Sequence, residues 1–326
     1  MHAIGRHVSK LSGYAPALPT PFNDNDGIDF EAFERLCDLQ ITSGATALVV
    51  CGTTGEAPNL TANEHCELIR IAVGASRGRV PVIAGAGSNA TKHAIELSKD
   101  AEANGADAIL SVVPYYNRPS QAGLYAHFCE IAASTALPII LYDVPSRTAR
   151  CLDDETVARL AEVPQIIGLK DATADVARPA RLRPLVGTDF RLLSGDDATA
   201  FAFLAQGGNG CISVTSNAAP ALCRSMFLAW RQGEVARAQR LALALAQLTA
   251  ALFHEPNPVP LKYALSLFGL MSPRVRLPLV ESSDPAKTEV ASVLACLCDE
   301  YSGSMIGKIG GLISTDRRVI AGCALA

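Results

Sequence analysis

The sequence predicts an α/β fold, a single parallel (β/α)8 TIM barrel with additional C-terminal helices. Three observations predict it: eight short apolar runs, a segment of helical periodicity after each, and no long polar linker from the first run to the last. The runs occupy residues 14–18, 46–51, 80–85, 107–113, 138–144, 165–170, 190–194 and 210–215. Each is almost continuously hydrophobic, as expected of strands covered on both faces in a parallel sheet.

The helical segments have recognisable starts. Asp29 stands before FEAFERLCDLQITSG, in which Leu36, Leu39 and Ile41 fall on or near one face and Gly44 lies just past the end. Thr61 is followed three residues later by Glu64, the spacing of a capping box. Similar segments begin near Thr91, Gln121, Asp153, Thr173, Asp196 and Ala219. A doubly wound open sheet would need a Gly-rich dinucleotide turn after the first strand, and the loop there reads TPFNDND. Residues 222–252 are rich in Ala, Leu, Arg and Gln with long helical patterns, and the breaker EPNPVP (255–260) precedes another helix over 261–268. The expected organisation is a barrel over 1–220, a helical extension over 221–300 packed on it, and a tail over 301–326 to which no structure is assigned.

Composition narrows the function. Of 326 residues, 49% are apolar and 18% charged, so a large core can be buried. A net charge of −4 leaves no basic excess for nucleic acid or an anionic membrane, which makes small molecules the expected partners. Ten cysteines without a CxxC pair, away from the six histidines, do not have zinc spacing. With no HExxH or carboxylate triad either, neither metal nor cofactor is expected. The first residues, MHAIGRHVSKLSGY, lack a signal peptide's apolar stretch, and no run reaches the ~18 apolar residues of a membrane span. The expected setting is reduced and cytoplasmic.

Catalytic groups of such barrels sit at the carboxyl ends of the strands. The apolar runs end in GTTGE (52–56), PYYNR (114–118), YDVPSR (142–147), KD (170–171), SGDD (194–197) and SVT (213–215). Among only seven lysines, Lys170 is the one that closes an apolar strand. Burial disfavours the charged form of an amine, and a neutral amine attacks a carbonyl to form a Schiff base. A structural pairing of Lys170 with Asp171 or Asp196 accounts for it equally at this stage. Schiff-base chemistry needs a proton shuttle, which Tyr142 on the adjacent strand can supply if hydroxyls such as those of Thr53, Thr54 and Tyr116 hold its phenol. Arg147 follows a Pro-Ser turn, where its planar guanidinium suits a carboxylate. His65 and His93 fall on predicted helices and His127 and His254 near helix ends, as surface or packing residues. Gly207-Gly208-Asn209-Gly210 reads as a plain turn before the eighth strand.

These motifs, with VIAGAGSNAT (82–91), LLSGDDA (192–198), GNGCISVTSN (209–217) and EPNPVPLK (255–262), resemble the dihydrodipicolinate synthase / N-acetylneuraminate lyase family from about residue 13 to residue 298. The resemblance implies a class I aldolase-type barrel with Lys170 as the Schiff-base lysine, Tyr142 as proton donor and acceptor, and Thr53 and Tyr116 completing a hydroxyl relay. Tyr116 would come from a neighbouring subunit of a homotetramer built as a dimer of dimers. Thr54, Gly195 and the backbone at Ile212 would surround pyruvate. Arg147 in VPSRT favours the synthase branch, whose second substrate, L-aspartate 4-semialdehyde, carries a carboxylate. A pyruvate-dependent aldolase acting on a 2-keto-3-deoxy acid and a non-catalytic paralogue remain alternatives.

The chain departs from that family's usual pattern. Asp143 stands where Asn commonly follows the tyrosine, and Asp171 where Glu commonly follows the lysine. His65, Asn89 and Tyr115 match the polar set that binds feedback lysine in inhibited members, but His93 stands where a glutamate would meet the lysine amine, and Ala62 where histidine often occurs. An imidazole cannot replace a carboxylate facing an ammonium, so weak or absent inhibition by lysine is expected. The tail has no family counterpart, and its last four residues, Cys323 to Ala326, fit a prenylation box only formally because no polybasic run precedes them.

Overall fold

The computed structural model describes residues 11–301, so most of the expected tail, with Cys323, lies outside the described residues. All eight expected strands form: β1 Gly13–Pro16, β2 Leu48–Val50, β3 Val82–Gly85, β4 Ala108–Val112, β5 Ile139–Asp143, β6 Ile166–Asp171, β7 Arg191–Ser194 and β8 Gly210–Ser213. They make one parallel sheet in which β1 pairs β8 and each other strand pairs its sequence neighbours. A parallel bridge between Ala17 and Val49, with Leu18 N–H donating to Val49 O at 2.8 Å, closes the ring between β1 and β2.

Strand alternation sorts side chains between two cores. Ala15, Val49, Ile83, Leu110, Ile140, Tyr142, Leu193 and Ile212 share the barrel interior. Val50, Ala84, Ile109, Leu141, Leu169, Leu192 and Cys211 face outward into the larger core beneath the helices. Burying each of the Val, Leu and Ile side chains among these contributes roughly 1.5–3 kcal/mol.

The helices follow their start signals closely in most units. Asp29 caps α1 (Phe30–Thr42) by accepting from Ala32 N–H, and Gly44 leaves the helix at φ +95°, a left-handed backbone that suits glycine. Thr61 and Glu64 form the reciprocal capping box of α2 (Ala62–Ser76). Then come α3 (Thr91–Ala103), α4 (Gln121–Ser134), a short α5 (Pro145–Thr148) and α6 (Asp154–Ala161).

Two starts differ from expectation. The helix after β6, α7 (Arg178–Val186), begins five residues beyond Thr173, because Asp171 Oδ1 accepts from Thr173 N–H and Oγ1 and Asp175 accepts from Ala177 N–H. These local turns compete with helix for the backbone. The helix after β7, α8 (Ala200–Ala205), begins after Asp196, whose carboxylate accepts from Thr199 Oγ1, while Asp197 turns away to accept from Val214 and Thr215 N–H.

Beyond β8 lie α9 (Pro220–Arg231), α10 (Val235–Leu252) and α11 (Val259–Leu267). A further helix, α12 (Asp284–Glu300), absent from the periodic segments above, starts where Ser283 Oγ accepts from Ala286 N–H. No helix among the described residues is long and apolar enough to cross a membrane, and no cluster of three metal-ligating side chains occurs among them.

Candidate active site

Tyr142 and Lys170 are register partners at the carboxyl ends of β5 and β6, so both project into the mouth of the barrel. Lys170 is 6% exposed and its Nζ lies 4.1 Å from the centroid of the Tyr142 ring. Among the described residues it has no carboxylate partner. The two aspartates that offered a structural pairing are engaged elsewhere, Asp171 with Arg178 and Asp196 with Thr199 and the backbone of Ala198. The amine is therefore buried beside a phenol ring with no carboxylate in ion-pair contact among the described residues.

Gly195 explains how the lysine fits. A Cβ at this position would stand 2.9 Å from both Cε and Cγ of Lys170. The residue's lack of a side chain gives the lysine stem its place, and Gly195 N–H donates to Asp171 O, fixing β7 against β6. Ile212 is buried in the same interior cluster as Tyr142 and Leu193.

The threonine loop is held from a distance in sequence. Thr54 Oγ1 accepts from Asn257 Nδ2 at 3.0 Å, and Glu56 Oε1 accepts from Lys262 Nζ at 2.7 Å, with both charged side chains fully buried. Glu56 Oε2 also accepts from Arg276 N–H, and the Lys262 ammonium lies 4.1 Å from the centroid of the Phe22 ring. Burial pushes Lys262 down to about 8, with the Glu56 charge acting in the opposite direction. Glu56 itself has φ 55°, a left-handed conformation over-determined by this network. Residues 206 apart in sequence thus clamp the turn that carries Thr53 and Thr54.

Sequence reasoning did not assign roles to Glu56, Asn257 and Lys262. Their signal was present, since GTTGE and EPNPVPLK carry them, but nothing local says that one motif closes on the other.

Three expected residues remain, Tyr116, Arg147 and Thr53. Tyr116, at φ 70°, is 90% exposed. Arg147 lies exposed on α5 without an ion pair among the described residues. Thr53 is half-buried and its hydroxyl makes no hydrogen bond there.

In the expected effector set, His65 is buried and its Nε2–H donates to Gly85 O at 2.8 Å, with burial lowering its pKa. Asn89 O accepts from Asn117 Nδ2, and Tyr115 is exposed. His93 is exposed on α3 with Glu96 3.5 Å away.

A parallel barrel whose mouth holds a buried, unpaired amine beside a phenol defines an enzyme class, the lysine-bearing barrels suited to carbonyl substrates. Comparison with known proteins makes this particular. Residues 10–297 match the dihydrodipicolinate synthetase family, and the chain belongs to it. A relative from Hyphomonas neptunium, a 4-hydroxy-tetrahydrodipicolinate synthase, is 50% identical over 285 residues, covering 87% of this chain and 97% of its own. One of the same name from Rhodospirillum centenum is 49% identical over 86% of this chain and 97% of its own. Among solved structures, the chloride-inhibited dihydrodipicolinate synthase of Acinetobacter baumannii complexed with pyruvate is 40% identical with a TM-score of 0.85, covering 87% of this chain and 98% of that one. The chain is a lyase-type enzyme of this family.

Proposed function

We propose that this chain acts as a 4-hydroxy-tetrahydrodipicolinate synthase, condensing pyruvate with L-aspartate 4-semialdehyde through a Schiff base on Lys170. The Lys170 amine attacks C2 of pyruvate, and loss of water from the carbinolamine leaves the imine. Loss of a proton from C3 gives an enamine, and C3 adds to the aldehyde carbon. The amino group of the second substrate then displaces Lys170 from C2 and closes the ring, so that one water leaves per turnover.

Tyr142 moves these protons as donor and acceptor, with Thr53 and Tyr116 extending its hydroxyl chain. Thr54 and the backbone at Ile212 hold the pyruvate carboxylate, Gly195 leaves room for the lysine stem, and Arg147 takes the carboxylate of the aldehyde in bidentate fashion. The exposure of Tyr116 supports its service to a neighbouring copy of the chain, within a homotetramer built from dimers. The proposed chemistry belongs to lysine and diaminopimelate biosynthesis, with the cytoplasm as its expected setting.

The observation that carries the reading is the amine of Lys170, nearly buried, with no carboxylate in ion-pair contact among the described residues, against the ring of Tyr142. Borohydride reduction in the presence of pyruvate, followed by peptide mass spectrometry, tests it: the expected result is a reduced adduct on Lys170, and an adduct elsewhere or none overturns it. Coupled assays with the semialdehyde against a panel of 2-keto-3-deoxy acids separate the synthase from its aldolase relatives.

Feedback by lysine is expected to be weak. His93 presents an imidazole on an exposed helix face where an ammonium ligand needs an anion, and Ala62 offers no polar atom beyond its backbone. Half-inhibition at sub-millimolar lysine would refute this.

A further inference from the structure

The residues that follow the two reacting side chains form a second, outward-facing pair. Asp143 and Asp171 are register partners one position beyond Tyr142 and Lys170, so alternation turns both carboxylates to the outside of the barrel, beneath the helices. They are at most 3% exposed, and like charges at adjacent cross-strand positions repel. Arg178, at the start of α7, lies between them. Its Nη1 donates to Asp143 Oδ2 at 2.8 Å and to Asp171 Oδ2 at 3.3 Å, its Nε to Asp154 Oδ1 at 3.1 Å, and its Nη2 to Leu152 O.

Asp143 has little other support. Its Oδ2 also accepts from Leu152 N–H, while Oδ1 has no partner among the described residues. Burial raises its pKa, and the Arg178 guanidinium opposes that rise. The other charges around the cluster are Asp154, shared between Arg178 and Arg181, and Asp175, bound to Arg181. Lys170 projects from the opposite face of the strands.

We propose that Arg178 is a positioning residue for the reaction: by neutralising Asp143 and Asp171 together it holds the carboxyl ends of β5 and β6 side by side, and so sets Tyr142 against Lys170. Through Leu152 the same guanidinium ties down the segment after α5, which carries Arg147. The proposal rests on the assignment of Lys170 and Tyr142 made above. Arginine suits the task because its planar fork reaches two carboxylates and a carbonyl at once, which a lysine ammonium cannot do.

The test uses the full-length enzyme, comparing wild type, Arg178→Met, Arg178→Lys and the double variant Arg178→Met/Asp143→Asn. Rates and KM values are measured from pH 6 to 9, with borohydride trapping by pyruvate and thermal midpoints alongside. Arg178→Met is expected to lower kcat about tenfold at pH 8, since small displacements of reacting groups cost rate on this scale. Its deficit relative to wild type narrows toward pH 6, because burial favours a proton on Asp143 once the opposing guanidinium is gone. Removing one charge by Asp143→Asn is expected to restore kcat to within about threefold and to flatten that ratio across pH. Arg178→Lys should fall between.

A folded Arg178→Met enzyme with wild-type kcat and pH profile overturns the proposal, whatever its melting temperature. So does a folded double variant as impaired as the single one. If Arg178→Met does not fold, the double variant and Arg178→Lys decide alone, and kcat below one-tenth of wild type in the double variant overturns the proposal. A wild type that traps no pyruvate on Lys170 instead removes the reading on which this one stands.

Discussion

Lys262 and Lys170 are both withdrawn from water, one fully and one nearly so, yet only the first meets a carboxylate. Lys262 grips Glu56 and serves as a fastener between the threonine loop and α11, an arrangement in which charge is compensated and nothing is left to react. Lys170 has apolar barrel walls, a glycine against its stem and an aromatic face 4.1 Å away. Burial alone is thus no mark of function in this molecule. What separates the two amines is whether an anion was folded in with them.

The contrast is open to direct attack. Lys170→Met should reduce turnover by at least about 10^4-fold while the thermal midpoint stays within a few degrees of wild type, as steady-state rates and melting curves will reveal. An equal loss of fold would make the two lysines alike and end the comparison.

Lys262→Met should do the reverse, costing about 3–5 kcal/mol in denaturant unfolding because Glu56 is left buried and alone. Adding Glu56→Gln should recover most of that loss. If the double variant is no more stable than the single, charge compensation is not what the pair provides.

A third buried base extends the rule. His127, hydrogen-bonded through Nδ1 to Thr91 Oγ1, has no ion pair among the described residues, and burial lowers its pKa to about 4. The unfolded chain takes up this proton below about 6.5 and the folded chain only near 4, so the folded state loses stability as pH falls through that window, by on the order of 3 kcal/mol. Melting curves of His127→Gln should be flatter than wild type between pH 6.5 and 4; parallel curves would dismiss the effect.

The mildest change is Gly195→Ala. Its methyl meets the lysine stem, so kcat is expected to fall about tenfold with pyruvate KM rising and the melting temperature nearly unchanged. Unaltered kinetics would show that the stem has room to spare.

Much of this was legible in advance, for physical reasons that differ by element. Strands were readable because parallel sheets demand unbroken apolar runs, and α1 and α2 because Asp29, Thr61 and Glu64 satisfy backbone groups within a few residues of themselves. The starts of α7 and α8 were misplaced because Asp171, Asp175 and Asp196 form turns that imitate helix caps. That Lys170 and Tyr142 meet at the strand ends was legible because each closes an apolar run. Glu56, Asn257, Lys262 and Arg178 were not, since their partners arrive from other elements and no local pattern announces them. Tyr116 shows the complementary limit: its position in PYYNR is plain, but a single chain leaves it facing solvent.

The clamp from Asn257 and Lys262 onto the turn at residues 52–56 has a consequence for anyone trimming or grafting this enzyme. A truncation after the eighth strand would keep every residue that touches pyruvate in the scheme above and still strip Thr54 of its hydrogen-bond donor and Glu56 of its ammonium and backbone N–H partners. The closing helices are best regarded as the far half of that turn's support, inherited with it or lost with it.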